Sequence, residues 1–129
     1  MAAHPDNGAR RRVVVTGVGA VTPLGVGAAA LIDRWSAGEC GIADGAGRCD
    51  EFEPSDHLSR KEARRQDRFT QLAVVAAEEA LEAAGWDAEP PYAPDRASCV
   101  IGTGIGGLGS LEEQHGVLLE RGAKAGSPL

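Results

Sequence analysis

Several features are scarce or missing in this chain, and each absence limits what the protein can be. Aromatic residues make up only 4% of the 129 residues, so the core must be built from valine, leucine, isoleucine and alanine. No apolar run approaches the ~18 residues that a membrane-spanning helix needs. The polar residues 1–9 lack the apolar segment of a secretory signal. We therefore expect no membrane partner, and we interpret residues 1–10 as a disordered tail.

Cysteine is also scarce, with three residues at wide spacing: Cys40, Cys49 and Cys99. An odd number without a Cys-x-x-Cys pair supports neither a disulfide framework nor a zinc site. We therefore predict a cytoplasmic protein without a bound metal. Cys99 lies in an apolar run, where cysteine is ordinarily a small core residue. No pattern favours a catalytic Cys–His pair, and we interpret all three cysteines as structural.

An overall excess of positive charge is missing as well. The net charge is −6, which argues against a nucleic-acid partner. Residues 60–68 nevertheless hold five basic and two acidic side chains. If this stretch is helical, the spacing of Lys61, Arg64, Arg65 and Arg68 places four cations on one face. Two interpretations stay open: a solvated face that balances the acidic residues of 50–56, or a docking surface for an anionic partner.

Glycine, by contrast, is abundant, at 18 of 129 residues, about twice the usual ~7%. Five glycines fall within residues 102–109, directly after the apolar run 99–101. This pattern predicts a buried strand that enters a tight turn, open to close approach by another group, and then a helix. It matches Gly-x-Gly-x-x-Gly, but the acidic residue of a dinucleotide site is missing ~20 residues later. No Gly-Lys-Ser/Thr phosphate loop is present either, so we predict no cofactor.

Hydrophobic periodicity predicts an α/β chain with the order β-α-loop-α-β-α. The predicted strands, both buried on two faces, are residues 12–17 and 97–102. The predicted helices are residues 27–37, 67–84 and 111–121. Residues 41–57 are expected to form a loop. Asp67 is the predicted N-cap of the second helix, whose many alanines indicate close packing against another element. Two strands are fewer than the about four to six of a typical sheet, so other strands or a partner must complete the sheet.

Three sequence blocks resemble the β-ketoacyl-[acyl-carrier-protein] synthases of the elongating kind. They are RRVVVTGVGAVTPLG at 11–25, SRKEARRQDRF at 59–69 and IGTGIGGL at 101–108, the last followed by EEQH at 112–115. The blocks have the order and spacing of that family and cover residues 11–129, nearly the whole chain. One departure is the stretch 41–57, which is shorter than is common in the family.

The resemblance implies a fold and a reaction. Residues 11–129 would form the N-terminal portion of a thiolase-like fold, layered α-β-α-β-α and incomplete in this chain. The reaction would be a Claisen condensation in fatty acid synthesis: an acyl chain passes to a cysteine, malonyl-acyl carrier protein is decarboxylated, and the two join. No metal or organic cofactor is implied. The family's nucleophilic cysteine and two catalytic histidines would lie downstream of this chain, which would then hold no catalytic residue; His115 matches a non-catalytic helix position.

The resemblance also implies roles for residues that are present. Lys61, Arg64 and Arg65 match basic positions that meet the acidic acyl carrier protein, in its acyl- and malonyl-loaded forms. Ile105 matches the residue that gates the acyl pocket, and the flanking Gly104 and Gly106 would let the backbone make room for the acyl chain. The full-length enzyme would be a homodimer.

Three alternatives remain beside a ketosynthase of fatty acid synthesis. A ketosynthase of polyketide assembly shares the same blocks. A non-catalytic fragment or chain-length partner would bind acyl carrier protein or dimerise without chemistry, and a cysteine encoded shortly after Leu129 would argue against it. A purely structural α/β domain is the third alternative, which the three-block match disfavours.

Overall fold

The structure is a computed structural model that describes residues 12–86 and 91–126. The described strands are β1 (Val21–Thr22), β2 (Gly25–Val26), β3 (Ile42–Ala43) and β4 (Ala46–Gly47). The described helices are α1 (Ala28–Ser36), α2 (Arg60–Ala63), α3 (Arg68–Ala83) and α4 (Leu108–Arg121). Short 3₁₀ helices lie at Pro54–Asp56, Pro94–Arg96 and Ala123–Ala125. Among these helices, none is long and apolar enough to cross a membrane. The predicted tail, residues 1–10, lies outside the described residues.

All three predicted helices are confirmed, with small shifts at their ends. Helix α1 begins after Gly27 and is followed by Gly38, which has a positive φ of 81°. Helix α3 has Asp67 at its N-cap position, as predicted. Helix α4 begins at Leu108, three residues earlier than predicted, so the glycine turn passes directly into the helix. Apolar residues at helical spacing were therefore a sufficient signal for these elements.

Neither of the two predicted parallel strands is formed in the described residues. Both strand pairs found there are short antiparallel hairpins, β1 with β2 and β3 with β4. The run 12–17 has no regular secondary structure, and Val13 is 92% exposed; in the run 97–102, Val100 is 92% exposed. A strand needs a neighbour to take its backbone hydrogen bonds and, in a parallel sheet, helices over both faces. Neither run has such a neighbour in the described residues, so the β-branched sequence does not form a strand.

The expectation of a loop throughout 41–57 was wrong at both ends of that stretch. Strands β3 and β4 form a hairpin whose turn residues, Asp44 and Gly45, both have positive φ, 51° and 75°. Asp-Gly is the sequence preferred for such a two-residue turn. The other end folds back as the 3₁₀ helix Pro54–Asp56 and supplies the most buried apolar side chain of the core, Phe52, which is 3% exposed.

The core lies where residues 49–58 cover α3. Phe52, Leu58 and Val75 are its buried members. The guanidinium of Arg68 lies 4.6 Å from the centre of the Phe52 ring, a cation–π contact. The same guanidinium donates hydrogen bonds to the carbonyl oxygens of Cys49 (2.8 Å) and Phe52 (2.9 Å). One arginine thus fixes this segment on the start of α3.

The predicted close packing of the alanine-rich helix is confirmed. The segment at Gly17 and Gly19 crosses α3 so closely that a Cβ at Gly17 would collide with the carbonyl oxygen of Ala80. A Cβ at Gly19 would collide with the carbonyl oxygen of Ala76. Glycine is therefore required at both positions for this close approach to the backbone of α3.

A carboxylate of α3 joins this segment to α1. The Oε2 atom of Glu79 accepts a hydrogen bond from the Ala20 amide (2.8 Å), and its Oε1 atom accepts one from the Ala28 amide (2.7 Å). Ala28 is the first residue of α1, and its N-cap, Gly27, has no side chain to cap the helix. Glu79 therefore satisfies an amide that would otherwise be orphaned and places negative charge at a helix N-terminus.

Candidate functional site: a basic cluster on α2

Four exposed cations are concentrated on α2 and the turn that follows it. We call this set, Arg60, Lys61, Arg64 and Arg65, the basic cluster. Among the described residues, ion pairs join Arg34 to Glu39 and to Glu51, and no member of the basic cluster takes part in one. The four side chains line one surface depression of about 580 Å³. Their positive charge is therefore available to an anionic partner.

The start of the basic cluster is fixed by a capping box. The hydroxyl of Ser59 accepts a hydrogen bond from the Glu62 amide (3.3 Å), and the Glu62 carboxylate accepts one from the Ser59 amide (3.0 Å). The Ser59 hydroxyl, then its backbone amide and then the charge of Lys61 lower the pKa of Glu62. Glu62, the one acidic side chain of α2, therefore hydrogen-bonds to the backbone and forms no ion pair with the cations of the described residues.

The end of the basic cluster is fixed by a buried glutamine. Gln71 is only 7% exposed, and its side-chain amide donates hydrogen bonds to the carbonyl oxygens of Ala63 (2.8 Å) and Gln66 (3.1 Å). These two carbonyls flank Arg64 and Arg65 in the sequence. Sequence analysis did not single out Gln71, although a polar residue on the otherwise apolar side of a predicted helix was a usable signal, because buried polar groups need partners.

The condition under which Lys61, Arg64, Arg65 and Arg68 would share one helical face, a continuous helix over these residues, is not met. Helix α2 ends at Ala63 and a new helix begins at Arg68, so the helical spacing does not run through. Arg64 and Arg65 lie in the intervening turn, and Arg68 is used to hold Cys49 and Phe52. Lys61, Arg64 and Arg65 do stay together, joined by Arg60 instead of Arg68.

The predicted acyl-pocket residues lie on the turn that leads into α4. Ile105 is 73% exposed, and a Cβ added at Gly104 or Gly106 would meet no atom within 4 Å. The turn is held locally, because the Gly106 amide donates a hydrogen bond to the Thr103 hydroxyl (3.0 Å). Asp67 contacts Ser110 at the first turn of α4, which joins the start of α4 to the start of α3. The described residues thus present Ile105 on the surface, with no second wall facing it.

The cysteines differ in burial: Cys40 and Cys99 are exposed and Cys49 is half-buried. The expectation that Cys99 is a small core residue was therefore wrong, because the apolar run around it has nothing packed over it in the described residues. Cys40, Cys49 and Cys99 are all free thiols. Burial raises the pKa of Cys49, whereas a nucleophilic cysteine needs a lowered one. His57 stacks on Phe52, with ring centres 5.5 Å apart. In the described part of the chain, no group of three or more potential ligands could hold a metal ion.

Comparison with known proteins identifies the family. Residues 50–128 match the family described as "Beta-ketoacyl synthase, N-terminal domain". The chain is 38% identical over 131 residues to 3-oxoacyl-[acyl-carrier-protein] synthase 2 of Staphylococcus aureus (strain COL), covering 92% of this chain and 31% of that protein. It is 39% identical over 135 residues to the protein of the same name from Synechocystis sp. (strain ATCC 27184 / PCC 6803 / Kazusa), covering 93% and 32%.

A solved structure gives the same assignment. The fold matches a chain of a type II polyketide synthase complex, described as an acyl-carrier protein with its ketosynthase bound to the hexaketide. The TM-score is 0.65 at 26% identity, over 93% of this chain and 35% of that one. The predicted fold class, an α/β portion of a thiolase-like fold, is confirmed by this match. The chain spans about a third of the length of the curated relatives it matches. It belongs to the beta-ketoacyl synthase family and corresponds to the N-terminal portion of its members.

Proposed function

We propose that this chain is the N-terminal portion of an elongating ketosynthase of fatty acid biosynthesis, an acyltransferase that condenses acyl chains with malonyl-acyl carrier protein. Loss of CO₂ from the malonyl group supplies a carbanion, which attacks the thioester carbonyl of an acyl group held on a cysteine. The cysteine thiolate leaves, and the product is a 3-oxoacyl chain on the carrier protein. We propose that the nucleophilic cysteine and the two histidines of this reaction lie outside the third of the relatives' length that this chain spans.

The observation that carries the proposal for this chain is the unpaired basic cluster. Its position in the block shared with the family, its exposure and the absence of ion pairs to it among residues 12–86 and 91–126 favour an acidic docking partner. We propose that Lys61, Arg64 and Arg65 bind the acyl carrier protein in its acyl- and malonyl-loaded forms. The solved complex of a ketosynthase with an acyl-carrier protein supports this class of partner.

We propose further that Ile105, with Gly104 and Gly106, lines one wall of the acyl pocket. The exposed side chain of Ile105 and the open space around both glycines suit a wall whose other side comes from another part of the enzyme or from a second copy of it in a homodimer. No metal or organic cofactor takes part in the proposed reaction. The free thiols support a reducing, cytoplasmic location.

The experiment that tests carrier-protein docking is a charge reversal with a matched control. The variant Lys61→Glu/Arg64→Glu/Arg65→Glu is compared with Arg96→Glu/Arg121→Glu/Lys124→Glu, which makes the same change in net charge at exposed cations elsewhere. Both variants are made in the protein as it is produced in its source cells. We expect the first variant to bind acyl carrier protein at least about tenfold more weakly than the control variant does. The loss should be larger at low salt, since added salt screens the attraction. Equal affinities of the two variants would refute the docking role.

A ketosynthase of polyketide assembly is the second candidate. The structural match to a polyketide synthase complex favours it, whereas the higher identity to two 3-oxoacyl-[acyl-carrier-protein] synthases favours fatty acid synthesis. Measuring condensation with carrier proteins from each pathway separates the two. The third candidate, a non-catalytic binding or dimerising fragment, predicts a native protein of 13.3 kDa, which an intact-mass measurement on the source cells decides.

A further inference from the structure

We propose that Gln71 is a positioning residue for carrier-protein binding, acting through Arg64 and Arg65. The inference rests on the proposed docking role of these two arginines. The side chain of Gln71 does not reach the surface, since it is only 7% exposed. It cannot touch a docked protein directly, and any effect it has on binding must pass through the turn that it holds.

The backbone of the turn at Arg64 and Arg65 takes part in two sets of hydrogen bonds, and only one set is made within the turn and α2. The amides of Arg64 and Arg65 donate to the carbonyl oxygens of Arg60 (3.3 Å) and Glu62 (3.0 Å), within the same short segment. The carbonyls that bracket the two arginines, those of Ala63 and Gln66, accept instead from the Gln71 side chain. Carbonyls at the end of a helix have no hydrogen-bond partner within it. The side-chain amide of Gln71 supplies the donors that these two carbonyls would otherwise lack.

The consequence is a defined backbone conformation at two adjacent arginines, which sets the directions in which their side chains leave the turn. Long exposed cations lose rotamer freedom when they bind. A backbone that is already fixed reduces the total conformational entropy that is lost on binding. Helix α2 has only four residues, too few to hold its own end, because an isolated turn is marginal in water. Without the two hydrogen bonds from Gln71, Arg64 and Arg65 would keep their charge, but the backbone conformation that sets the relative directions of their side chains would no longer be held.

The test uses Gln71→Met, which keeps the length of the side chain and removes both donors. Dissociation constants for acyl carrier protein are measured for the wild type, Gln71→Met, Arg64→Ala/Arg65→Ala and the triple variant, all in the protein as it is produced in its source cells. We expect Gln71→Met to weaken binding by about threefold to tenfold. In the background without the arginines, it should have no further effect, because a residue that acts through others is not additive with them.

The control is Val75→Ala, one turn further along α3 and equally buried at 7%. It loosens the core but leaves both hydrogen bonds from Gln71 to the turn in place, so we expect its affinity for the carrier protein to match the wild type. If Gln71→Met fails to fold, Gln71→Asn takes its place, since it keeps the amide but is one methylene too short to reach both carbonyls.

Three results would overturn the inference: wild-type affinity in a folded Gln71 variant, an equal loss with and without the arginines, or an equal loss in Val75→Ala. Failure of the proposed function gives a different result. In that case the Arg64→Ala/Arg65→Ala variant itself binds like the wild type.

Discussion

The two hydrogen bonds that Glu79 accepts make a strong prediction about stability. Replacing this residue with glutamine keeps one accepting oxygen but turns the other into an NH₂ group that faces a backbone N–H. Glu79 joins the amides of Ala20 and Ala28, at 2.8 and 2.7 Å, across 59 and 51 residues of sequence. Both the loop before β1 and the start of α1 therefore depend on it.

The size of the effect follows from the kind of bond that is lost. A hydrogen bond to a charged group contributes ~1.5–3 kcal/mol, and the side chain is partly exposed, which favours the low end. We expect Glu79→Gln to lower the free energy of unfolding by about 2 kcal/mol and Glu79→Ala, which loses both bonds, by about 3 kcal/mol. The change at the N-terminus of α1 adds a few tenths to this.

The assay is urea unfolding followed by circular dichroism, in which a lower midpoint at an unchanged slope reports a loss of stability. Glu82→Gln is the matched control, because Glu82 lies on the same helix, lines the same depression as Glu79 and is exposed. It should change stability by less than about 0.5 kcal/mol. A loss below that value in Glu79→Gln, or an equal loss in the control, would refute the reasoning.

Three further predictions concern single side chains. Because the pKa of Glu62 is held below its ordinary value of 4.5, its charge stabilises α2 above that pH, and this contribution is lost as the pH falls through the lowered pKa. Glu62→Gln should remove that acid dependence from a pH series of unfolding curves, and an identical series would contradict it. Ile105→Phe should shorten the acyl chains that the complete enzyme accepts, and an unaltered product profile would remove Ile105 from the pocket wall. At pH 8, Cys49 should react with iodoacetamide more slowly than the exposed Cys40, because burial raises the pKa of its thiol; equal rates by mass spectrometry would contradict this.

The three longer helices could be predicted from the sequence because their signal is local, whereas the four-residue helix α2 is too short to show a period and was not predicted. Apolar residues at helical spacing gave α1, α3 and α4, and Asp67 and Gly38 marked a beginning and an end. The strands could not be predicted in this way. The side chains of the runs 12–17 and 97–102 indicate only that an extended, buried conformation would suit them. Whether they become strands depends on neighbours that those runs do not contain, and the described residues supply none.

The candidate site divides in the same way. Its charged residues were visible, since a local excess of arginine and lysine in an acidic chain needs no coordinates to find. Which of them remain available to a partner was not visible, because Arg68 differs from Arg65 only in what lies beside it. The guanidinium of Arg68 contacts the Phe52 ring and donates to two backbone carbonyls, while Arg65 faces solvent.

The sequence by itself therefore determined the family, the three longer helices, the net charge and the location of the basic cluster. These follow from residue identities and from spacings of a few residues. The tertiary structure alone decided which groups hold the cluster and the core in place. Gln71, Glu79 and Arg68 each bond to backbone atoms outside their own helix. Backbone atoms are the same at every position, so no sequence pattern can mark which of them a distant side chain will meet.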